Sequence, residues 1–123
     1  MKRDMELIRL LLLRDETDEE PEPEGLSEYS VDEQCYNAAL LIDAGFAIGD
    51  VEIAPDGRIA CVSINRLTWA GHDFLDSMRD PSIWQKAKEK IIRPGVSWTF
   101  SLLLDYLKSE AKLQMEKTFG IKL

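Results

Sequence analysis

The sequence predicts a mainly α (α+β), winged-helix-like domain with a two-stranded β-hairpin wing and extra C-terminal helices. Three observations predict it. Apolar residues recur at three- and four-residue spacing in separate segments, the pattern of helices that bury one face. Ser30 followed three residues later by Glu33 forms a capping box ahead of one of those segments. Between two runs of β-branched and aliphatic residues stands Pro55-Asp56-Gly57, where proline presets a negative φ, aspartate can bond its own backbone and glycine accepts a positive φ, so the chain turns back as a hairpin. Helix, acidic loop, helix, hairpin and helix, in that order, give the winged-helix layout. A chain of 123 residues is also long enough to bury one hydrophobic core without disulfides or metal.

Each element has its own residues. Met5, Ile8 and Leu12, with Leu7 and Leu11 beside them, predict a first helix over 3–14, with Asp4 as its N-cap. The segment DETDEEPEPEGLSE has no apolar periodicity and repels itself, so it is expected as an exposed loop over 15–28. The capping box starts a second helix that runs from Val31 to about Ala44, and Gly45 supplies a left-handed stop. In that helix Val31, Cys35, Ala38, Leu41 and Ile42 are expected inward; Asp32, Glu33, Asn37 and Asp43 are expected outward or on the margin. The ribbon occupies 46–64. Thr68 is placed to cap a third helix whose Gly71, Phe74, Leu75 and Met78 share a buried face, with Gly71 letting the helix lie close against what precedes it. His72, the chain's sole histidine, sits one position off that stripe with Asp76 one turn on, in reach of an exposed or marginal pairing. Asp80 or Ser82 starts a fourth helix with Ile83, Trp84, Ala87 and Ile91 inward; Lys86, Lys88, Lys90 and Arg93 make it the most basic part of the chain. After Pro94-Gly95 a last helix is expected from about Val96 to Phe119 with two apolar stripes, Phe100, Leu103, Leu104, Leu107 and Ala111 on one side and Trp98, Leu102, Tyr106 and Leu113 on another. Two apolar sides need two surfaces, and a second copy of the chain is the natural second one. A division into a winged-helix-like part (1–93) and a packing or dimerisation helix (94–123) follows.

The charge is local. Ten acids and no base lie between Asp15 and Glu33, which leaves 13 acids against 15 bases elsewhere, although the whole chain carries −8. Asp15, Glu16, Asp18, Glu19, Glu20, Glu22, Glu24 and Glu28 are therefore candidate contacts for a basic protein partner; the plain alternative is that they keep the protein soluble. Duplex DNA is bound through several phosphate neutralisations, yet no basic residue stands between Arg14 and Arg58, a gap that contains the whole helix expected to enter the groove. A DNA-binding transcription regulator, the second reading, would have to use Arg58, Lys86, Lys88, Lys90 and Arg93, which a solvated face explains equally well.

Other classes of chemistry find little support. Cys35 and Cys61 lack framework spacing and fit a reducing, cytoplasmic setting. Neither CxxC nor HxxxH occurs, so no metal and no cofactor is expected; no glycine-rich phosphate loop precedes a helix. Asp4, Glu6 and Arg9 interrupt the N-terminal apolar run, against a signal peptide. No apolar stretch approaches the roughly 18 residues of a membrane span. His72 with Asp76 could orient an imidazole, but Ser77 points about 100° away on the same helix, so catalysis is not expected.

In MKRDMELIR, in LLIDAGFAIG, in RLTWAGHDFLDSMRDPSIWQKAKEKI and in a final helical segment, the sequence resembles the uncharacterised bacterial and prophage proteins grouped as domain of unknown function 2513. That family usually carries an acid where Ala70 stands here and a less acidic loop than Asp15 to Glu28. The resemblance implies a winged-helix fold, a phage-associated or defence-related setting and no assigned reaction. The expected function is a non-catalytic, regulatory protein-interaction module.

Overall fold

A computed structural model describes residues 1–17, 22–93, 95 and 97–123. Among the described residues it has an α+β, winged-helix-like layout of five α-helices and one two-stranded antiparallel hairpin. The chain divides into two compact units, Met1–Leu75 and Asp76–Leu123, and the division falls inside a helix.

In the first unit, α1 (Met5–Glu16) begins where the Asp4 carboxylate accepts from the Leu7 amide at 3.1 Å. A cap residue is itself outside the helix, so α1 starts two residues later than its apolar pattern suggests. Met5, Leu7, Ile8, Leu10, Leu11 and Leu12 are buried, nearly all of the apolar content of the helix. Gly25, at φ 92°, leads into a short 3-10 turn, Leu26–Glu28, which buries Leu26.

The capping box of α2 (Val31–Asp43) forms as expected: Ser30 Oγ accepts from Glu33 N, and Glu33 Oε1 accepts from Ser30 N, both at 3.1 Å. Gly45 follows at φ 80°. Two expectations for the inward face fail. Val31 is 72 % exposed although it lies within about 20° of Ala38 around the helix, because it sits in the first turn, at the end of the buried stripe. Asn37 is 1 % exposed, and its polarity is matched rather than solvated: Oδ1 accepts from the Asp4 amide at 2.9 Å while Nδ2 donates to the Glu33 carbonyl at 3.0 Å. Buried amides persist when both ends are bonded in this way, and here the bonds tie the start of α1 to α2.

Strands β1 (Ala47–Ile53) and β2 (Ile59–Leu67) pair from Ala47↔Leu67 to Ile53↔Ile59, with register shifts after Ile48 and Glu52. The turn is closed by Ala54 N to Arg58 O at 2.8 Å and by Gly57 N to Ala54 O at 2.9 Å, with Gly57 at φ 89°. Thr68 then fastens the ribbon to α3 (Trp69–Met78). Its hydroxyl donates to the Gly45 carbonyl at 2.6 Å and accepts from Gly71 N at 3.1 Å, while its own amide donates to the Phe46 carbonyl at 3.0 Å. A side chain on Gly71 would overlap that same Phe46 carbonyl. The Phe46 and Phe74 rings meet at 4.8 Å between centroids, and Phe74, Leu75 and Met78 are buried as the stripe predicts.

In the second unit, α4 (Pro81–Lys90) is capped by Asp80, which accepts from Ser82 N and Ile83 N, and has Pro81 in its first turn where no amide donor is required. It buries Ile83, Trp84 and Ala87; Ile91, expected inward, is the half-buried residue just past its end. Helix α5 (Phe100–Phe119) packs on α4, buries Leu103 and Leu107 and stops at Gly120, φ 66°. It starts later than the expected Val96, a residue outside the described ones, because Thr99 accepts from Leu102 N at 3.3 Å and caps the helix there. Gln114 Nε2 reaches Asp80 at 3.2 Å. Among the described residues no helix is long and apolar enough to cross a membrane.

Candidate functional site

The clearest accumulation of one charge gathers around Tyr29. Burial raises the pKa of its phenol, and the carboxylates of Asp4, Glu6, Glu33 and Glu28 raise it further. These acids come from the start of α1, the 3-10 turn and the first turn of α2. The fold thus brings Asp4 and Glu6 into an acidic surface that the sequence placed in the loop and on the outer face of α2; no local spacing could have signalled their arrival. Glu22, Glu24 and Glu28 are exposed. Asp15 is different, since Arg14 grips both its oxygens at 2.8 and 3.2 Å and cancels its charge. Glu16 closes α1. Asp18, Glu19 and Glu20 lie outside the described residues.

Helix α2 extends this surface. Asp32, Glu33 and Asp43 are exposed on it and the helix has no lysine or arginine. The one cation of the hairpin turn, Arg58, is held by Asp56, Nε to Oδ2 at 2.7 Å, so it adds little net positive charge at the wing tip. Between the first turns of α2 and this turn lies an open groove of about 590 Å³, lined by Asp32, Tyr36, Ala54, Arg58, Ile59 and Ala60 among others. Sequence periodicity gave no sign of it, because it forms between segments 18 or more positions apart.

The second unit holds the remaining candidates. Lys86 Nζ lies 3.6 Å from Glu110, Lys88 is half-buried, and Lys90 and Arg93 are exposed. Glu89 shares the helix and accepts from Gln85 at 3.0 Å, diluting the basic face. On α5, Leu102 and Leu113 are exposed, whereas Trp98 is half-buried. Tyr106 turns its hydroxyl away from solvent beside Glu110 without reaching hydrogen-bond geometry; burial first, then the Glu110 carboxylate, raises its pKa. Met115, Phe119, Ile121 and Leu123 are further exposed apolar residues towards the C-terminal end.

His72 is exposed, and Asp76, its expected neighbour, accepts from Arg79 at 2.8 Å instead. The i, i+3 guanidinium is a permanent cation with a fork that fits a carboxylate, and it satisfies Asp76 without the imidazole. Cys35 is half-buried and Cys61 exposed, both as free thiols. Among the described residues no three His, Cys, Asp or Glu side chains are grouped so as to hold a metal ion.

A family model described as "Hypothetical protein (DUF2513)" matches residues 2–97, which take in the first unit and α4. The chain belongs to this family. An uncharacterized protein of Haemophilus influenzae is 30 % identical over 116 residues, 91 % of this chain and 93 % of the relative. No solved structure matches. Membership of DUF2513 brings no named reaction or ligand, so functional inference rests on the surfaces of this chain.

Proposed function

We propose that this DUF2513 chain is a non-catalytic, regulatory winged-helix module that binds a basic protein partner through the acidic face of its first unit and pairs with a second copy through α5. The observation that carries the reading is the sign of the surface where a winged helix would meet DNA. Helix α2 presents Asp32, Glu33 and Asp43 without a base, Glu28 and Glu33 stand with Asp4 and Glu6 around Tyr29, and Arg58 is engaged by Asp56. Phosphates would be repelled from that face and a cationic protein drawn to it. The exposed Leu102 and Leu113 support the pairing, since apolar groups of this size gain most when removed from water.

The test joins two measurements. In a mobility-shift assay at low salt, a DNA duplex is expected to stay free with both the intact chain and a version lacking residues 15–28. Affinity capture is expected to retain a basic protein in a salt-sensitive way, and to lose it when Asp32→Asn, Glu33→Gln and Asp43→Asn are combined. Tight duplex binding, or a partner indifferent to that triple change, refutes the reading. For the pairing, light scattering at high concentration should give twice the monomer mass, and a monomer there rejects it.

A further inference from the structure

Among the described residues, the groove between α2 and the hairpin turn sets part of the acidic surface against facing walls. Its volume, about 590 Å³, lies within the range of sites that hold small groups. Asp32 and Tyr36 stand one helical turn apart, hence on one face of α2, so a carboxylate and an aromatic ring border the groove together. Asp32 is exposed and has no ion-pair or hydrogen-bond partner for its carboxylate among the described residues. Met1, Ala54, Ile59 and Ala60 also line the groove and supply apolar surface, and Arg58, which could have neutralised Asp32, is drawn to Asp56.

We propose that this groove is a binding site for an arginine side chain presented by a basic peptide segment of the partner. The proposal rests on the acidic-face reading above and gives it a location. A guanidinium suits the three surfaces at once: its plane stacks on the Tyr36 ring, its paired N–H groups face the Asp32 carboxylate, and its methylene stem covers Ile59 and Ala60. Lysine has the charge and the stem but neither the plane nor the fork, so it binds less well. A phosphate-bearing ligand meets the wrong sign at Asp32.

The experiment titrates the full-length, nitrogen-15-labelled protein at low salt with a blocked Gly-Arg-Gly-Arg-Gly peptide, followed by amide shifts. Residues 32, 36 and 58–60 are expected to move. Asp32→Asn should weaken binding about tenfold, through loss of a charge-assisted pair, and Tyr36→Leu about threefold, through loss of the cation–π contact. Asp32 is exposed and Tyr36 half-buried, and circular dichroism confirms that each variant is folded. Glu33→Gln, which keeps the capping hydrogen bonds, should leave the shifts at 58–60 in place. Shifts confined to 22–28 or 43, indifferent to Asp32→Asn, overturn the groove site and leave the acidic-face reading standing. Equal affinity for the matched lysine peptide overturns the arginine preference, and absence of any binding removes both readings.

Discussion

Replacing Gly71 by alanine sets two effects against each other, and the structure decides the sign. Taken as an exposed helical position, glycine to alanine gains about 1 kcal/mol from backbone entropy and helix propensity. Here the new methyl group would occupy the place of the Phe46 carbonyl oxygen. That carbonyl cannot simply retreat, because it accepts from Thr68 N at 3.0 Å, and the neighbouring Gly45 carbonyl accepts from Thr68 Oγ1 at 2.6 Å. Relieving the overlap costs about 1–3 kcal/mol of local strain, and loosening the two Thr68 bonds about 1 kcal/mol each. The opposing terms come to about 3–5 kcal/mol, so a net destabilisation of about 2–4 kcal/mol is expected. Urea unfolding followed by far-UV circular dichroism should show the midpoint falling at unchanged slope. Amide exchange should accelerate at Thr68 and Gly71 ahead of the α2 amides. A Gly71→Ala protein as stable as the parent, or more so, would refute the close approach of α3 to Phe46.

Two further outcomes follow from side chains whose partners are known. Asn37→Ala removes the acceptor for the half-buried Asp4 amide and the donor to Glu33 O, and should cost about 2–3 kcal/mol, seen as a lower thermal midpoint and lost exchange protection at Asp4; Asn37→Asp should be no milder, since it buries a charge beside Asp4 and Glu33. Asp80 has its pKa lowered, chiefly by the backbone amides of Ser82 and Ile83, so its contribution is fully present above the ordinary carboxylate range and is lost as pH falls through the lowered value. Denaturation of wild type and Asp80→Ala should therefore differ at about pH 7 and converge at about pH 2, whereas a constant difference would mean that the charge of the cap is irrelevant.

Local chemistry made much of the fold legible. Ser30 with Glu33, Gly45, Pro55-Asp56-Gly57, Thr68 and Asp80 each act within a few residues of themselves, so the starts, stops and turns they dictate could be read directly. Gly71 was also legible, as a gap in an otherwise apolar stripe. Asn37 was not: a polar residue at a margin reads as solvated, and only the arrival of Asp4 from 33 positions away gives its amide a partner. Whether His72 would take up the marginal pairing open to it at Asp76 was not legible either, since spacing shows which residues can meet but not that Arg79 binds the carboxylate.

The sequence alone thus determined the sign and placement of charge, the order of elements and the caps that bound them, because these depend on composition and on neighbours along the chain. Tertiary structure decided which acids stand together around Tyr29, that Asn37 receives the Asp4 amide, and that α2 and the hairpin turn border a groove. Electrostatic and packing energies depend on distances in space, and a separation along the chain fixes such a distance only within a helix, a strand or a tight turn.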